Sequence, residues 1–256
     1  MEKQEILVEK QGPVARIVLN RPEKRNAQGV TFSGNMQRAL DDVERDDNIT
    51  VAVLTGNGPV FGGGGDLSEI MSTESTDREW ELDLVRGYNK VIARLCNFDR
   101  PLIAAVNGPA YGGGACLAMA CDFAVAAESA AYHFAFARIG LSAADMGATT
   151  LLRRALGSKL AAYYLLTGGS IDARRGLELG MFAEVVPADE LDARVQTLAE
   201  NIAAQSRRGT TISKLALRLG AQTTLEASLE YEAYLQSFAF RTDEHKDRLR
   251  RFLNNE

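Results

Sequence analysis

TVAVLTGNGPVFGGGGDL, residues 50–67, and PLIAAVNGPAYGGG, residues 101–114, share one pattern: an apolar run that leads into clustered glycines. The two glycine windows, 56–65 and 108–114, hold ten of the 23 glycines of the chain. Each apolar run is short and bounded by a turn, which predicts buried strands over residues 50–55 and Leu102–Val106. A helical pattern follows each window. Strand, glycine turn and helix in succession, twice, predict an α/β fold with crossover connections.

The rest of the chain extends this pattern. Apolar residues predict a hairpin of strands at 6–8 and 14–19 and a further strand at 123–126. The predicted helices cover residues 29–45, 80–95, 115–120, 191–204, 212–219, 225–240 and 243–252, with another beginning near Leu151. For a chain of 256 residues we expect one α/β domain over residues 1–200. Residues 201–256 then form a helical extension that serves as a lid or as an oligomer surface.

Composition excludes several classes of protein. Lys and Arg number 29 and Asp and Glu 34, so the net charge is 29 − 34 = −5, which argues against general nucleic-acid binding. The three cysteines are an odd number and lack C-x-x-C spacing, so neither a disulfide framework nor a metal site is expected. No apolar run reaches the ~18–20 residues of a membrane span. We therefore expect a cytoplasmic protein without nucleic-acid or membrane partners.

Motifs of several common enzyme classes are absent from the sequence. Gly56-x-Gly58 is followed by Gly62, one residue too late for a dinucleotide fingerprint, and neither a P-loop nor a G-x-S-x-G elbow occurs. The two histidines, His133 and His245, lie far apart in the sequence. What remains is backbone chemistry, because two glycine turns can aim two N–H groups at one oxygen. Such an oxyanion hole is worth roughly 3 kcal/mol of barrier per donor. The alternative is that both windows are only tight turns.

Four motifs together resemble those of one protein family. They are NRPEKRNA at residues 20–27, TGNGPVFGGGGDL at 55–67, PLIAAVNGPAYGGG at 101–114, and the segments CDF, AES and LTG at 121–123, 127–129 and 166–168. In this order they are similar to the crotonase superfamily of enoyl-CoA hydratases and isomerases. The resemblance implies a spiral of ββα units and an acyl-CoA thioester substrate, in which coenzyme A belongs to the substrate and no separate cofactor is needed. It also implies homotrimers, often paired into hexamers, with the C-terminal helices at the trimer contacts.

The resemblance also assigns roles to individual positions. Gly65 and Gly113 match the two oxyanion donors, each acting through its backbone N–H while an enolate forms on the substrate. Further positions match the segments that bind the substrate and its coenzyme A part: Lys24, Arg25, Ala27, Gly63, Asp66 and Leu67. The charges of Lys24 and Arg25 suit a 3′-phosphate. An ordinary solvated loop is the alternative for these two residues.

The sequence departs from the family where hydratases carry their two catalytic glutamates. These positions are Cys116 and Phe136 here, and neither side chain can move a proton as a carboxylate does. GLSAADMG at residues 140–147, one residue longer than usual, resembles a loop of dienoyl-CoA and some enoyl-CoA isomerases. That loop places a catalytic aspartate at Asp145. Phe134, Phe136 and Leu141 are expected to desolvate Asp145 and raise its pKa. Capping of the next helix is the alternative role for Asp145.

One carboxylate suffices for a 1,3-proton shift, so the sequence favours a double-bond isomerase that uses Asp145 as its single acid/base. A hydratase with atypical water positioning is the first alternative. A CoA-thioester dehalogenase or hydrolase remains open, since related proteins decarboxylate, dehalogenate or cleave rings. A non-catalytic acyl-CoA-binding subunit is the rival from another class, and the missing glutamates motivate it.

Overall fold

The computed structural model describes residues 4–72 and 78–254. Its strands are β1 (Ile6–Gln11), β2 (Val14–Leu19), β3 (Val51–Gly56), β4 (Leu102–Val106), β5 (Ala110–Tyr111), β6 (Phe123–Ala127), β7 (Ala131–His133), β8 (Ser170–Asp172) and β9 (Glu184–Val186). Its α-helices are α1 (Phe32–Glu44), α2 (Leu67–Ser72), α3 (Arg78–Cys96), α4 (Gly113–Met119), α5 (Ala148–Thr167), α6 (Ala173–Glu178), α7 (Leu191–Ala203), α8 (Arg207–Gly220), α9 (Leu225–Phe240) and α10 (Asp243–Leu253).

The main sheet has six strands in the order β1-β2-β3-β4-β6-β9. β1 and β2 form the predicted antiparallel hairpin, and every later strand joins in parallel. Parallel neighbours need crossovers, and most of these crossovers contain a helix. The predicted α/β class is therefore confirmed, and both glycine windows leave this sheet at the carboxyl ends of β3 and β4.

A second, smaller sheet orders its three strands β5-β7-β8. The sequence patterns did not predict these strands, because β5 spans two residues and β7 and β8 three each. Alternation over so few residues carries no periodic signal. β5 lies inside the second glycine window and pairs with β7, so this small sheet helps to fix the window in place.

Both faces of the main sheet are buried, and alternate residues of each strand serve opposite faces. Ala52 and Leu54 of β3 belong to the larger core, together with buried residues of α1, α3 and α4. Val51 and Val53 belong to a second core that α7 covers with Leu191, Val195 and Ala199. Burial on both faces explains why β3 and β4 are apolar throughout.

The C-terminal helices α8, α9 and α10 contain no buried residue within their described lengths. Each begins at a hydroxyl N-cap, where Ser206, Thr224 and Thr242 accept a hydrogen bond from the N–H three residues on. α7 spans the predicted domain boundary at residue 200, and α8 begins at Arg207. Within residues 4–72 and 78–254, none of the helices is long and apolar enough to cross a membrane.

Candidate active site

The two glycine windows lie against each other. The N–H of Tyr111 donates to the carbonyl oxygen of Gly62 over 2.8 Å, and the N–H of Phe61 donates to that of Pro109 over 3.1 Å. A Cβ atom on Gly114 would lie 2.3 Å from the Gly62 carbonyl oxygen, and one on Gly62 would lie 3.0 Å from the Gly114 Cα. Glycine is required at both positions because the two backbones approach so closely.

The backbone amides of Gly65 and Gly113 are left without acceptors. Gly65 faces Gln28 in an isolated parallel bridge. There the Gln28 N–H donates to the Gly64 carbonyl over 2.7 Å, and the Asp66 N–H donates to the Gln28 carbonyl over 2.8 Å. Gly113 is the first residue of α4, where an amide has no intrahelical partner. Within the part of the chain that the structure describes, neither amide donates a hydrogen bond.

These two amides are also neighbours. The Gly113 nitrogen lies 3.6 Å from the point where a Cβ atom on Gly64 would stand, one residue before Gly65. Unpaired N–H groups on a rigid backbone can stabilise an oxygen on which negative charge develops. The arrangement is therefore chemically suited to an oxyanion hole.

Asp145 lies beside Gly113, in the loop before α5. The preceding turn is tight: Met146 has φ +45° and Gly147 φ +71°. The Met146 Sδ atom lies 2.6 Å from the Cβ position of Gly113. The Asp145 Oδ1 atom is buried and has no hydrogen-bond partner among the described residues. α5 has its N-cap at Gly147 with no side-chain cap, so Asp145 does not cap this helix.

Burial raises the pKa of Asp145, and a hydrogen bond from the Met146 N–H offsets part of that rise. The charge of Asp145 in turn acts on two buried neighbours. Burial and then the charge of Asp145 raise the pKa of the Cys116 thiol. Burial, Glu69 and Asp145 raise that of the Tyr88 hydroxyl. Both neighbours therefore stay protonated at neutral pH, and Cys116 offers no base.

Phe134 and Phe136 are buried close to the site, as the sequence predicted. Their alternation is also typical of a strand, but β7 ends at His133 and Phe136 lies in a 3₁₀ turn over Ala135–Ile139. The Phe136 ring lies 3.5 Å from the Cβ position of Gly112. Leu141 differs from the expectation, because its side chain is 52% exposed and contributes less to the desolvation of Asp145 than the two aromatic rings.

The segment after β2 packs onto the first glycine window. A Cβ atom on Gly63 would lie 2.9 Å from the Arg25 carbonyl oxygen and 3.6 Å from the Ala27 Cα. Lys24 and Arg25 are exposed, and Leu67 is 42% exposed. The structure therefore brings the predicted substrate-binding residues of this segment and of the window into one region.

Asp66 joins these two segments by ion pairs. Its Oδ2 atom accepts from Lys24 Nζ over 2.8 Å and from Arg21 Nη2 over 3.1 Å. Burial raises the pKa of Asp66, but hydrogen bonds from Lys24, Ser68 and the Glu69 N–H outweigh it and hold that pKa well below its usual range. Lys24 is therefore partly neutralised within the protein, a pairing that the sequence did not predict.

Gln28 is the residue of this site that the sequence analysis missed. It is fully buried, and neither end of its side-chain amide has a partner among the described residues. Its Oε1 atom lies 2.5 Å from the Cβ position of Gly113. Its place directly after the NRPEKRNA motif was the available signal. A polar side chain next to a motif says nothing about burial by itself.

Comparison with known proteins agrees with this geometry. The profile of the enoyl-CoA hydratase/isomerase family matches residues 9–256. The 1,2-epoxyphenylacetyl-CoA isomerase of Escherichia coli is 34% identical over 241 residues, covering 94% of this chain and 92% of that protein. The short-chain-enoyl-CoA hydratase of Clostridium acetobutylicum is 31% identical over 261 residues, covering 99% and 96%.

A solved structure extends the similarity to three dimensions. The crystal structure of an enoyl-CoA hydratase from Bacillus anthracis superposes with a TM-score of 0.94 at 29% identity, and the match covers 99% of this chain and 97% of that one. The similarity therefore includes the C-terminal helices as well as the sheet.

Proposed function

Because the chain belongs to the enoyl-CoA hydratase/isomerase family, we propose that it moves a double bond within an acyl-CoA thioester, with Asp145 as the single acid/base. One observation carries this proposal. Two unpaired amides, Gly65 and Gly113, stand beside a buried carboxyl group without a partner, while Cys116 and Phe136 occupy the usual glutamate positions.

The chemistry balances with these groups alone. The Asp145 carboxylate takes a proton from Cα or Cγ of the bound ester, and the electron pair of that C–H bond moves toward the thioester carbonyl. The oxygen then carries the negative charge, which the amides of Gly65 and Gly113 stabilise. The protonated Asp145 returns the proton at the other end of the conjugated system. Its raised pKa helps it to hold the proton between the two steps.

The coenzyme A part of the substrate is proposed to lie along the segment formed by residues 24–27 and the first glycine window. Gly63, Asp66 and Leu67 border this path. Lys24 is engaged by Asp66, whereas Arg25 makes no ion pair among the described residues. Arg25 is therefore the better placed of the two cations to meet a phosphate group.

Hydration is the second candidate function, and the names of several relatives favour it. It needs a group that positions water and a group that moves the proton. Asp145 serves as the proton donor or acceptor in this case as well. Dehalogenation, hydrolysis and non-catalytic acyl-CoA binding follow in order.

Asp145→Asn tests the proposal. Turnover and exchange of substrate α-protons in deuterated water should fall by a factor of about 10² to 10⁴, because the base is lost. Binding of acyl-CoA esters, measured by calorimetry, should stay within about threefold. kcat/KM of the wild type should fall as pH drops through the raised Asp145 pKa, since only the carboxylate accepts a proton.

Ser142→Ala is the matched control in the same loop, because Ser142 is exposed and only its Oγ atom accepts a hydrogen bond, from the Ala144 N–H. It should keep full activity. Full exchange activity in Asp145→Asn contradicts the assignment. Absence of exchange in the wild type, with a broad panel of tightly bound esters, favours the non-catalytic alternative.

We also propose that the C-terminal helices associate with further copies of the chain into trimers or hexamers. Leu217, Phe238 and Phe252 are 78%, 68% and 78% exposed, and a soluble monomer rarely leaves so much apolar surface together. A groove of about 770 Å³ between α8 and the core is lined by Phe123 and Leu217 among others. Light scattering at micromolar concentration should give three or six chain masses, and a monomer there contradicts the proposal.

A further inference from the structure

Gln28 holds an amide that the protein itself leaves unused. Its Nε2 and Oε1 atoms are both buried and lack partners among the described residues. Buried side-chain polar atoms nearly always make a hydrogen bond, so a fully unpaired amide indicates a missing ligand.

The amide cannot turn away to find a partner in solvent. The backbone of Gln28 is held by the Gly64 carbonyl at 2.7 Å and the Asp66 N–H at 2.8 Å. The Tyr88 hydroxyl also donates to the Gln28 carbonyl oxygen over 3.2 Å. The residue is fully buried. Its side chain is therefore fixed between the two glycine windows.

The position of the amide defines what it can reach. Its Oε1 atom lies 2.5 Å from the Cβ position of Gly113, and Met146 Sδ lies 2.6 Å from the same point. Gln28 thus stands beside a proposed oxyanion donor, on the approach to Asp145. A group within two or three bonds of a thioester carbon bound there falls within hydrogen-bond reach of the amide.

We propose that Gln28 is a specificity-determining residue that hydrogen-bonds an oxygen substituent at C2 or C3 of the acyl chain. The inference rests on the proposed acyl-CoA site. A carboxamide both donates and accepts, which matches a hydroxyl group. A site built to bind a hydroxyl discriminates against the analogue without it, because its own polar atoms are then left unpaired.

Calorimetry with three thioesters tests this inference: butyryl-CoA, 2-hydroxybutyryl-CoA and 3-hydroxybutyryl-CoA. The wild type should bind one hydroxy ester at least about tenfold more tightly than butyryl-CoA. Gln28→Met, similar in volume but apolar, should lose that preference and bind butyryl-CoA as well as the wild type does. Gln222→Met, at an exposed position of the C-terminal region, is the control and should keep the preference.

Thermal unfolding separates recognition from a structural role. Without ligand, Gln28→Met should unfold at the same or a higher temperature than the wild type, because unpaired buried polar atoms are removed. Equal affinity of the wild type for all three esters overturns the inference, and would mean that the amide holds only water. An equal loss for all three esters in Gln28→Met also overturns it. Failure of the wild type to bind any of the three contradicts the acyl-CoA site itself.

Discussion

The two glycine windows have the same local pattern but different supports. The first leads into α2, a short helix whose start is held by ion pairs of Asp66 with Lys24 and Arg21. The second leads into α4, where residues 113–118 are all buried and uncharged. Charge positions the Gly65 amide, whereas close packing positions the Gly113 amide.

The difference teaches that one sequence motif can be stabilised by two kinds of force. A charged support weakens with salt and with low pH. A packed support responds instead to added volume, since backbones in contact cannot accommodate a methyl group. The two donors of the proposed oxyanion hole should therefore fail under different conditions, and two variants test this.

The largest effect is expected from Gly114→Ala in the second window. The new Cβ atom would lie 2.3 Å from the carbonyl oxygen of Gly62, which is backbone and cannot rotate away. We expect a loss of at least about 3 kcal/mol in the free energy of unfolding, or no folded protein. Urea denaturation followed by circular dichroism measures this loss.

Gly65→Ala is the matched control in the first window. Its Cβ atom would meet only the Ile70 Cδ1 atom, at 3.4 Å, and the backbone N–H is retained. Its stability should stay within about 1 kcal/mol of the wild type, and turnover should persist. If Gly114→Ala were as stable as Gly65→Ala, close packing would not be what holds the second window.

A smaller effect is expected from Asp66→Asn in the first window. The variant loses charged hydrogen bonds to Lys24 and Arg21, which should destabilise the protein by about 1–3 kcal/mol at pH 7. Lys24 is 45% exposed, so the effect should decrease in high salt. The protein should also bind acyl-CoA more weakly, because the segment that carries Lys24 and Arg25 loosens.

The pH dependence has a definite sign. The folded pKa of Asp66 lies below the unfolded value, so its stabilisation is present above about pH 4–5 and is lost as pH falls toward the folded pKa. The difference between wild type and Asp66→Asn should therefore shrink below about pH 4. Asp42→Asn, in an exposed pair with Lys10, is the control and should cost less than about 0.5 kcal/mol. An equal cost in both variants, unchanged by pH, contradicts a charged support.

Much of the fold was predictable from the sequence because long apolar patterns report burial directly. β4 and α9 begin and end at the predicted residues, and α3 extends the predicted helix by a residue or two at either end. The strands of the small sheet were not predictable, since pairing between segments of two or three residues depends on distant partners. The exposure of Leu141 was missed for the same reason, because it depends on how a turn is oriented.

The candidate site divides in a similar way. Motifs identified Gly65, Gly113 and Asp145, because their spacing is local and survives in a linear sequence. The pairing of Lys24 with Asp66 joins positions 42 residues apart, and no local pattern encodes it. Gln28 shows the same limit, since burial of a glutamine comes from the elements that surround it.

By itself the sequence determined the alternation of strand, glycine turn and helix, the family, and the loss of both glutamate positions. These properties follow from residue type and spacing along the chain. Only the tertiary structure decided which polar groups remain unpaired: the two amides, the Asp145 carboxyl group and the Gln28 amide. Hydrogen-bond satisfaction depends on every neighbour in space, and a linear sequence does not specify those neighbours.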